Sequence, residues 1–348
     1  MNHLGNWKNG ELGDFVTLKR GFDLPQQKRE DGQVPIFSSS GITGTHSTAM
    51  VKAPGVITGR YGTIGEVFYA AKDFWPLNTT LFVEDFHGND AKFIYYFLKT
   101  LEWSKFTSAS AVPGINRNTV HKENVSLPDI ETQRRIASTL SMFDEKIKIN
   151  TEINDNLQQQ AQAIYSSMFI DNPDPAWSHG HLSDLITVKY GKDHKKLADG
   201  IYPVYGSGGI MRYVERPLYN KESVLIPRKG TLNNVMYVNQ PFWSVDTMFY
   251  TEMKLPNVAK FVYHFVKAKD LASMNAGSAV PSMTTDILNA MEVVIPSASA
   301  LEEFESLVAP MYEAMEANDV QSKALSQMRD TLLPKLMSGK IDVSSVQL

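Results

Sequence analysis

The side chains of this 348-residue sequence that are best suited to binding chemistry are cations in short clusters: Lys19-Arg20, Lys28-Arg29 and the run from Lys192 to Lys196. Clusters of this kind contact the phosphate groups of nucleic acids. The formal net charge of −4 argues against such a partner, but the charge is unevenly distributed. Residues 131–180 carry 4 basic and 7 acidic side chains and residues 299–348 carry 4 and 8, so these two segments hold a net −7. The remaining parts are close to neutral, with local basic clusters.

Signatures of catalysis and of metal binding are not evident. The sequence has no cysteine, which excludes disulfides and thiolate metal sites and fits a reducing cytoplasm. The eight histidines are scattered, and no Walker motif, nuclease pattern or metal-ligand spacing appears. Asn172-Pro173-Asp174-Pro175 superficially resembles the adenine-binding loop of DNA methyltransferases but lacks adjacent prolines. We therefore predict no catalytic residue, no metal and no cofactor in this chain, which also has no apolar run long enough to span a membrane.

The elements that must position the cations are encoded twice. Residues 35–168 recur as residues 203–336 without a gap. Residues 7–21 match residues 177–191 at a slightly larger offset, because the first half carries two extra residues within 22–34. Two copies are too few for a solenoid, so the repeat predicts two similar globular domains related by a pseudo-two-fold axis.

Within each copy the pattern is that of mixed α and β structure. Glycine, proline and asparagine turn signals separate short apolar and β-branched segments, which predict strands at Val34 to Phe37, Gly55 to Thr58, Glu66 to Tyr69 and Thr80 to Val83. Ala91 to Leu101 has helical spacing of its apolar residues, and Val258 to Val266 is the equivalent helix in the second half.

A long helix is predicted to follow each domain. Seam positions alternating by four and three residues run from Ile136 to Met168, and adding 168 gives the same seam from Phe304 to Leu336. Each helix would contain about 35–40 residues and extend about 55–60 Å. Pro334 falls in the last turn of the second helix, and Gly339 is a plausible stop.

Polar residues at the middle of each seam favour one pairing of these helices. Antiparallel packing about the seam centre places Asn150 against Ser322 and Asn154 against Asn318, so that four polar groups meet in one layer. Buried asparagine at a seam position fixes helix register. We therefore expect an α+β fold in which an antiparallel coiled coil separates two mixed α/β domains. The alternative, in which each helix packs only on its own domain, would not require helices of this length.

Several motifs together resemble the DNA-specificity (S) subunit of type I restriction–modification systems. They occur in the family's order and cover nearly the whole chain: Leu12-Gly13-Asp14, Gly59-Arg60-Tyr61-Gly62-Thr63-Ile64-Gly65, Ser110-Ala111-Val112-Pro113-Gly114, Leu127-Pro128 with Glu131 to Arg135, and Leu332-Leu333-Pro334-Lys335-Leu336-Met337-Ser338-Gly339-Lys340-Ile341-Asp342. The second copy departs from the pattern, because Leu232-Asn233-Asn234 replaces Ile64-Gly65-Glu66 and the last glycine of that loop is lost.

The resemblance implies a non-catalytic subunit that binds double-stranded DNA. Each globular part would be a target-recognition domain for one half of a split sequence, and the helices would dock two adenine-N6 methyltransferase subunits, to which nuclease–translocase subunits can add. S-adenosylmethionine would be held by the methyltransferase. The implied boundaries are 1–128 and 171–298 for the domains, 129–170 and 299–337 for the helices, and 338–348 for the tail. Helices of this length limit the separation of the half-sites to about 60 Å, or roughly 17 base pairs.

The repeat also sorts the candidate DNA-binding residues. Residues that are identical in both halves cannot distinguish two different half-sites, so they are candidates for phosphate contact or scaffolding. Adding the neighbouring cations, this set is Lys19, Arg20, Arg60, Thr63, Thr79, Ser110, Lys189, Arg228, Lys229, Thr231, Thr247 and Ser278. Base reading is expected where polar loops differ between the halves. That set is Gln26, Gln27, Lys28, Arg29, Thr45, His46, Asn116, Arg117, Asn118, Lys192, His194, Lys195, Lys196, Arg212 and Thr284.

Two other functions remain open at this point. The chain could be a DNA-modifying enzyme that acts alone, although the motifs for base and cofactor binding are not evident. It could also be a coiled-coil adaptor that binds no DNA, which would explain the helices but not two divergent domains with basic loops.

Overall fold

The structure, a computed structural model, describes residues 7–107, 113–274 and 282–343. The chain divides into two compact units. Unit 1 is formed by the chain up to Asn150 together with the chain from Val320, and unit 2 is formed by Thr151–Asp319. Both units are mixed α/β, which confirms the predicted fold class.

Unit 1 contains short strands, short helices and the first part of a long helix. The strands are β1 (Lys8–Glu11), β2 (Thr17–Arg20), β3 (Val34–Ser38), β4 (Gly41–His46), β5 (Gly55–Gly59), β6 (Val67–Ala70), β7 (Trp75–Pro76), β8 (Thr80–Asp85) and β9 (Asn124–Leu127). The helices are α1 (Leu12–Phe15), α2 (Ala91–Lys99), α3 (Arg117–His121) and α4 (Ile130–Ser166), with 3-10 turns at Gln26–Lys28 and Trp103–Phe106.

The main sheet of unit 1 has the strand order β2-β8-β5-β6, and smaller sheets have the orders β4-β3-β7 and β1-β9. Every residue of β5 is buried, because β6 and β8 pair with it on both sides and α2 packs against it. Helix α2 begins where the Asp90 side chain accepts a hydrogen bond from the Phe93 N–H at 2.8 Å. It buries Phe93 and Phe97 against the sheet. These elements agree with the predicted strands and helix to within a few residues.

Unit 2 repeats this order of elements. Its elements are β10 (Ser178–His181), α5 (Leu182–Leu185), β11 (Ile186–Tyr190), β12 (Asp199–Gly206), β13 (Gly209–Val214), β14 (Ser223–Pro227), β15 (Met236–Val238), β16 (Trp243–Ser244), β17 (Met248–Met253), α6 (Ala259–Lys267), α7 (Thr285–Asn289), β18 (Glu292–Ile295) and the first part of α8 (Ala298–Met337). Its sheets have the orders β11-β17-β14-β15, β13-β12-β16 and β10-β18, the same topology as in unit 1.

Helices α4 and α8 pack against each other in antiparallel orientation within each unit. In unit 1, Leu140 of α4 shares a buried cluster with Leu333 of α8, and the Arg329 guanidinium lies 2.6 Å from the Asp144 carboxylate. In unit 2, Tyr165 of α4 shares a cluster with Val308 of α8. The residues of α8 fall in number, from Leu333 through Arg329 to Val308, as those of α4 rise from Leu140 through Asp144 to Tyr165, which is the signature of two helices running in opposite directions.

The polar layer lies in the middle of this helix pair. In unit 1, the Asn150 amide donates to Ser322 Oγ at 3.1 Å and to Gln321 Oε1 at 2.9 Å. In unit 2, the Asn318 amide donates to Asn154 Oδ1 at 2.8 Å. The Asn150–Ser322 and Asn318–Asn154 contacts are those that antiparallel pairing predicts, and the Asn150–Gln321 contact is an addition to them.

Helix α8 ends in a Schellman motif at the predicted glycine. Gly339 has a φ of 67°, the Lys340 N–H donates to Lys335 O at 2.9 Å, and the Gly339 N–H donates to Leu336 O at 3.1 Å. The chain then turns back, so that Val343 is buried in the core of unit 1. In the described part of the chain, no helix combines the length and apolarity that a membrane crossing requires.

Candidate nucleic-acid interface

An open groove of about 780 Å³ lies on unit 1, and its walls are rich in cations. One wall is the end of β2 with the residues after it (Lys19–Asp23). A second is the residue pair after β5, Arg60 and Tyr61, and a third is the start of α3 (Gly114–Arg117). Leu81 of β8 contributes an apolar contact. The groove therefore brings together predicted residues that are far apart in sequence.

Backbone hydrogen bonds hold the arginine loop, which we define as residues 59–65. The Arg60 and Tyr61 N–H groups both donate to the Thr79 carbonyl, at 2.8 and 3.2 Å, and the Ile115 N–H donates to the Arg60 carbonyl at 3.0 Å. The Arg60 guanidinium lies 4.4 Å from the centre of the Tyr61 ring. Because the backbone is fixed on both sides, the Arg60 side chain is presented from a rigid position.

Gly114 permits the third wall to approach this loop. Tyr61 and Gly114 form an isolated antiparallel bridge, and a Cβ on Gly114 would lie 2.2 Å from Tyr61 Cε1. Any side chain at position 114 would therefore clash with the Tyr61 ring and force the segment before α3 and the arginine loop apart. Here the need for glycine comes from close approach and not from backbone conformation.

A histidine ties α3 to β2. The His121 Nε2 accepts a hydrogen bond from the Leu18 N–H at 2.9 Å. Burial, with smaller effects from Arg117 and His87, lowers the pKa of His121. The ring is therefore neutral at physiological pH, as an acceptor must be. This contact fixes Arg117, at the start of α3, relative to Lys19 and Arg20 at the end of β2.

The four cations of the groove differ in their partners. Lys19 pairs with Glu84, and Arg20 lies 3.9 Å from Asp23. Arg60 and Arg117 form no ion pair with any described residue. Guanidinium groups without a carboxylate partner suit bidentate binding of phosphate or of a guanine edge.

Unit 2 repeats the arginine loop, here residues 227–233. The Arg228 and Lys229 N–H groups donate to the Thr247 carbonyl at 2.9 and 3.2 Å, and the Met283 N–H donates to the Arg228 carbonyl at 2.9 Å. The Arg228 guanidinium lies 5.3 Å from the ring centre of Tyr190, which is half exposed. Lys189 lies 3.7 Å from Glu252, as Lys19 pairs with Glu84.

The functional groups on this common scaffold differ between the units. Asn116 and Thr284 occupy the same position and both cap a helix: the Asn116 side chain accepts from the Asn118 N–H at 3.0 Å, and Thr284 Oγ1 accepts from the Ile287 N–H at 3.3 Å. The next residue is Arg117 in unit 1 and Thr285 in unit 2. The position that carries a guanidinium on the groove wall of unit 1 therefore carries a hydroxyl in unit 2.

Most of the other predicted base-reading residues are exposed. They are Gln26, Gln27 and Lys28 on a 3-10 turn, Thr45 on β4, Asn118 on α3, and Lys192, Lys195 and Lys196 before β12. Their side chains are accessible to a partner, although they do not line the groove.

A smaller set is engaged inside the protein. His46 is 5% exposed, packs edge-on against Trp75 at 5.1 Å and accepts the Glu30 N–H at Nδ1. Arg212 is held by Asp199 at 2.7 Å and by the Leu197 carbonyl at 3.0 Å. Arg29 and His194 are half-buried. These contacts give His46 a structural role and tie the partly exposed Arg212 guanidinium to Asp199 on the neighbouring strand β12.

The residues shared by both units fall into two groups. Thr79 and Thr247 act through their carbonyl groups, which hold the arginine loops, whereas Thr63 and Thr231 are exposed within those loops. Ser110 and Ser278 lie outside the described residues. Among the residues that the structure describes, no group of three or more histidine, aspartate or glutamate side chains is arranged to hold a metal ion.

Sequence reasoning missed Tyr61 and Gly114 as parts of the interface. Both occur in motifs that carried the resemblance, but nothing in their spacing indicated that they touch. The signal that could have identified them is the glycine after a proline, Pro113-Gly114, which would indicate close backbone approach beside the arginine loop.

Comparisons with known proteins identify the family. The family model of the type I restriction modification DNA specificity domain matches residues 5–159 and 176–304. The chain therefore belongs to the family of type I restriction–modification DNA specificity proteins, which confirms the resemblance. Because the model matches twice, each domain is one copy of the family's repeated unit.

Relatives and solved structures agree with this assignment. A putative type I specificity subunit of Mycoplasma pneumoniae is 26% identical over 367 residues, covering 97% of each chain. The type I restriction enzyme MjaIX specificity subunit of Methanocaldococcus jannaschii is 24% identical and covers 74% of this chain and 71% of its own. The crystal structure of a type I restriction-modification S subunit from M. genitalium has a TM-score of 0.65 at 20% identity and covers 97% of each chain, which shows the same fold.

Proposed function

We propose that this chain is the non-catalytic specificity subunit of a type I restriction–modification complex that acts on DNA in the cytoplasm. Each domain reads one half of a bipartite target, with bases contacted by polar loops and phosphates by the arginine loops. The observation that carries this proposal is the common scaffold with different functional groups. Arg60 and Arg228 are held in the same way, while Arg117 is replaced by Thr285. Such an arrangement supports two similar modes of docking on DNA with two different sequence preferences.

Two copies of a methyltransferase subunit dock on the long helices in this proposal. Helices α4 and α8 expose apolar side chains that a protein partner could bury: Met142, Ile149, Ile153, Leu307, Val320 and Met328. The segments that contain these helices also hold the excess negative charge of the chain, which disfavours phosphate as their partner. The methyltransferase supplies S-adenosylmethionine and transfers its methyl group to adenine N6. Nuclease–translocase subunits join this core where the organism encodes them.

The decisive experiment is co-expression of this chain with a type I methyltransferase subunit of its organism, followed by mapping of methylated adenines in host DNA. We expect methylation at one split motif, with two short specified elements and a spacer of fixed length. Deletion of this chain should abolish it. Exchange of residues 1–128 for those of another family member should change one half of the motif only.

Two outcomes would contradict the proposal. Methylation of the same motif without this chain would assign the sequence reading to the methyltransferase. Methylation by the purified chain alone would make it an enzyme in its own right.

A further inference from the structure

Each unit has a lysine close to aromatic rings. Among the described residues, only the lysine of unit 2 forms ion pairs with carboxylates. In unit 2, the Lys260 ammonium on α6 lies 5.1 Å from the ring centre of Tyr237 and 5.6 Å from that of Tyr312. Lys260 is 4% exposed. It is paired with Glu222 at 3.2 Å and Glu305 at 2.6 Å. The chain thus provides two carboxylates to a buried cation, as burial of a charge requires.

In unit 1 the equivalent lysine keeps one of these rings, with Tyr69 in place of Tyr237, and lacks both glutamates, while Asp144 stands at the position of Tyr312. The Lys92 ammonium on α2 lies 4.1 Å from the ring centre of Tyr69 and 5.2 Å from that of Tyr95. The residues that correspond to Glu222 and Glu305 are Pro54 and Ala137. Lys92 is half-buried and forms no ion pair with a described residue.

Two of the three acidic side chains that act on Lys92 are engaged elsewhere, and the third, Glu145, is exposed. The Asp144 carboxylate accepts a hydrogen bond from the Tyr96 hydroxyl at 2.5 Å and pairs with Arg329 at 2.6 Å. Asp90 caps α2 through the Phe93 N–H. Burial lowers the pKa of Lys92, and Asp144, Glu145 and Asp90 oppose this only from a distance.

We propose that Lys92, with Tyr69 and Tyr95, is a docking site for a carboxylate side chain of the methyltransferase subunit. This inference rests on the proposed function. Unit 2 provides the template for the occupant, because the equivalent lysine, Lys260, lies over the equivalent ring, Tyr237, and is paired there with two glutamates. A half-buried cation over aromatic rings is stabilised most by a carboxylate that forms a charge-assisted hydrogen bond and also excludes water from the site.

The location of this site separates it from the nucleic-acid interface. Tyr69 pairs with Val56 near the start of β5, whereas Arg60 follows the end of that strand. Four residues of extended chain separate the two positions by about 13 Å. Helix α2 therefore presents Lys92 at the end of β5 away from the groove, which favours a protein occupant over DNA.

The test is titration of the full-length chain with the purified methyltransferase subunit, comparing four variants. Lys92→Met should weaken one of the two binding steps about tenfold. Lys92→Glu should weaken it further, because it places like charges together. Lys92→Arg should stay within about twofold of the unchanged chain. Lys105→Met is the matched control and should have no effect, because Lys105 is an exposed lysine whose ion pair among the described residues is with Glu102, three residues before it.

Thermal unfolding and DNA binding complete the test. Lys92→Met should unfold at the same temperature as the unchanged chain or above it, because it removes a half-buried charge without an ion-pair partner, so loss of binding cannot be attributed to misfolding. Full binding of the methyltransferase by both Lys92→Met and Lys92→Glu would overturn this inference and leave the proposed function intact. Loss of DNA affinity with unchanged methyltransferase binding would also overturn it, because the site would then contact phosphate. Failure of the unchanged chain to bind the methyltransferase would overturn both the inference and the proposed function.

Discussion

Arg60 and Arg117 line the same groove, but their positions in the repeat give them different roles. Arg60 has an identical counterpart, Arg228, whose backbone is held in the same way. Arg117 has none, because Thr285 stands at its position. A contact that both units make with two different half-sites must be independent of the DNA sequence. A contact that only one unit makes can be specific for a base of its own half-site.

Substitution of these arginines should separate the two roles. In the assembled complex, Arg60→Gln should weaken binding to all DNA sequences alike and reduce the slope of log affinity against log salt by about one. Arg117→Gln should cost about 1–3 kcal/mol on the cognate site and relax the preference at one position of one half-site. Binding measured at several salt concentrations, on cognate and altered sites, distinguishes these effects.

The control for this pair is Lys105→Gln, an exposed cation outside the groove. If Arg60→Gln changed the sequence preference, or if Arg117→Gln weakened all sequences equally, the assignment of roles by the repeat would be wrong.

For individual residues, the sequence predicted which ones the two halves share but not which contacts they make. The repeat identified Thr79 and Thr247 as common to both halves, yet they act through backbone carbonyls, which no side-chain pattern reveals. His46 stood on a polar, divergent segment, but its ring packs against Trp75 in the interior. The residue type of a hydrogen-bonding side chain in a divergent segment does not indicate whether that side chain is buried or exposed.

Among the elements, the helix pair was the most predictable. A seam with a regular spacing repeats over many residues, so single exceptions do not obscure it. The position of the polar layer followed from the same numbering, because antiparallel packing leaves only one alignment of Asn150 with Ser322. By contrast, the short pairing of β1 with β9 was not predicted. Strands of four residues have too few positions for an alternating pattern to stand out.

The polar layer gives a prediction at the scale of the element. Asn150 is 1% exposed and donates to Gln321 and Ser322. Asn150→Asp removes the donor and buries a charge, so it should lower the free energy of unfolding by about 1–3 kcal/mol. Asn150→Leu keeps the seam apolar and should maintain or raise that free energy, because buried asparagine is retained for register at a cost in stability.

Urea unfolding of both variants, followed by circular dichroism, measures this difference. A greater loss for Asn150→Leu than for Asn150→Asp would mean that the amide contributes stability and not register.

At the scale of the whole molecule, one chain carries two copies of a DNA specificity domain, and each long helix contributes residues to both units. We expect these helices to set the spacer between the two half-sites. If so, the length of the helices and the identity of the bases read are independent properties of the chain.

A paired deletion tests this expectation. Removal of residues 147–153 from α4 and of residues 320–326 from α8 takes out one heptad from each helix and keeps the seam in phase. Each helix shortens by about 10 Å, or roughly three base pairs. Mapping of methylated adenines should show unchanged half-sites with a shorter spacer, or loss of assembly.

A deletion of four residues within 144–165 serves as the comparison, because it shifts the seam out of phase and should disrupt the helix pair. New bases in either half-site after the paired deletion would refute the idea that the helices determine spacing alone.

The return of the chain's end into unit 1 has a consequence for biosynthesis. The core that Leu12, Phe93 and Leu140 begin is closed by Leu333, Leu336 and Val343, which lie more than 180 residues further along the chain. Unit 2 is a single continuous segment, Thr151–Asp319, and has all its parts while translation is still under way. Of the two units, the one that emerges first from the ribosome is thus the one whose interior is completed last, so a premature stop before codon 333 would leave it without Leu333, Leu336 and Val343 although residues 1–150 had been made.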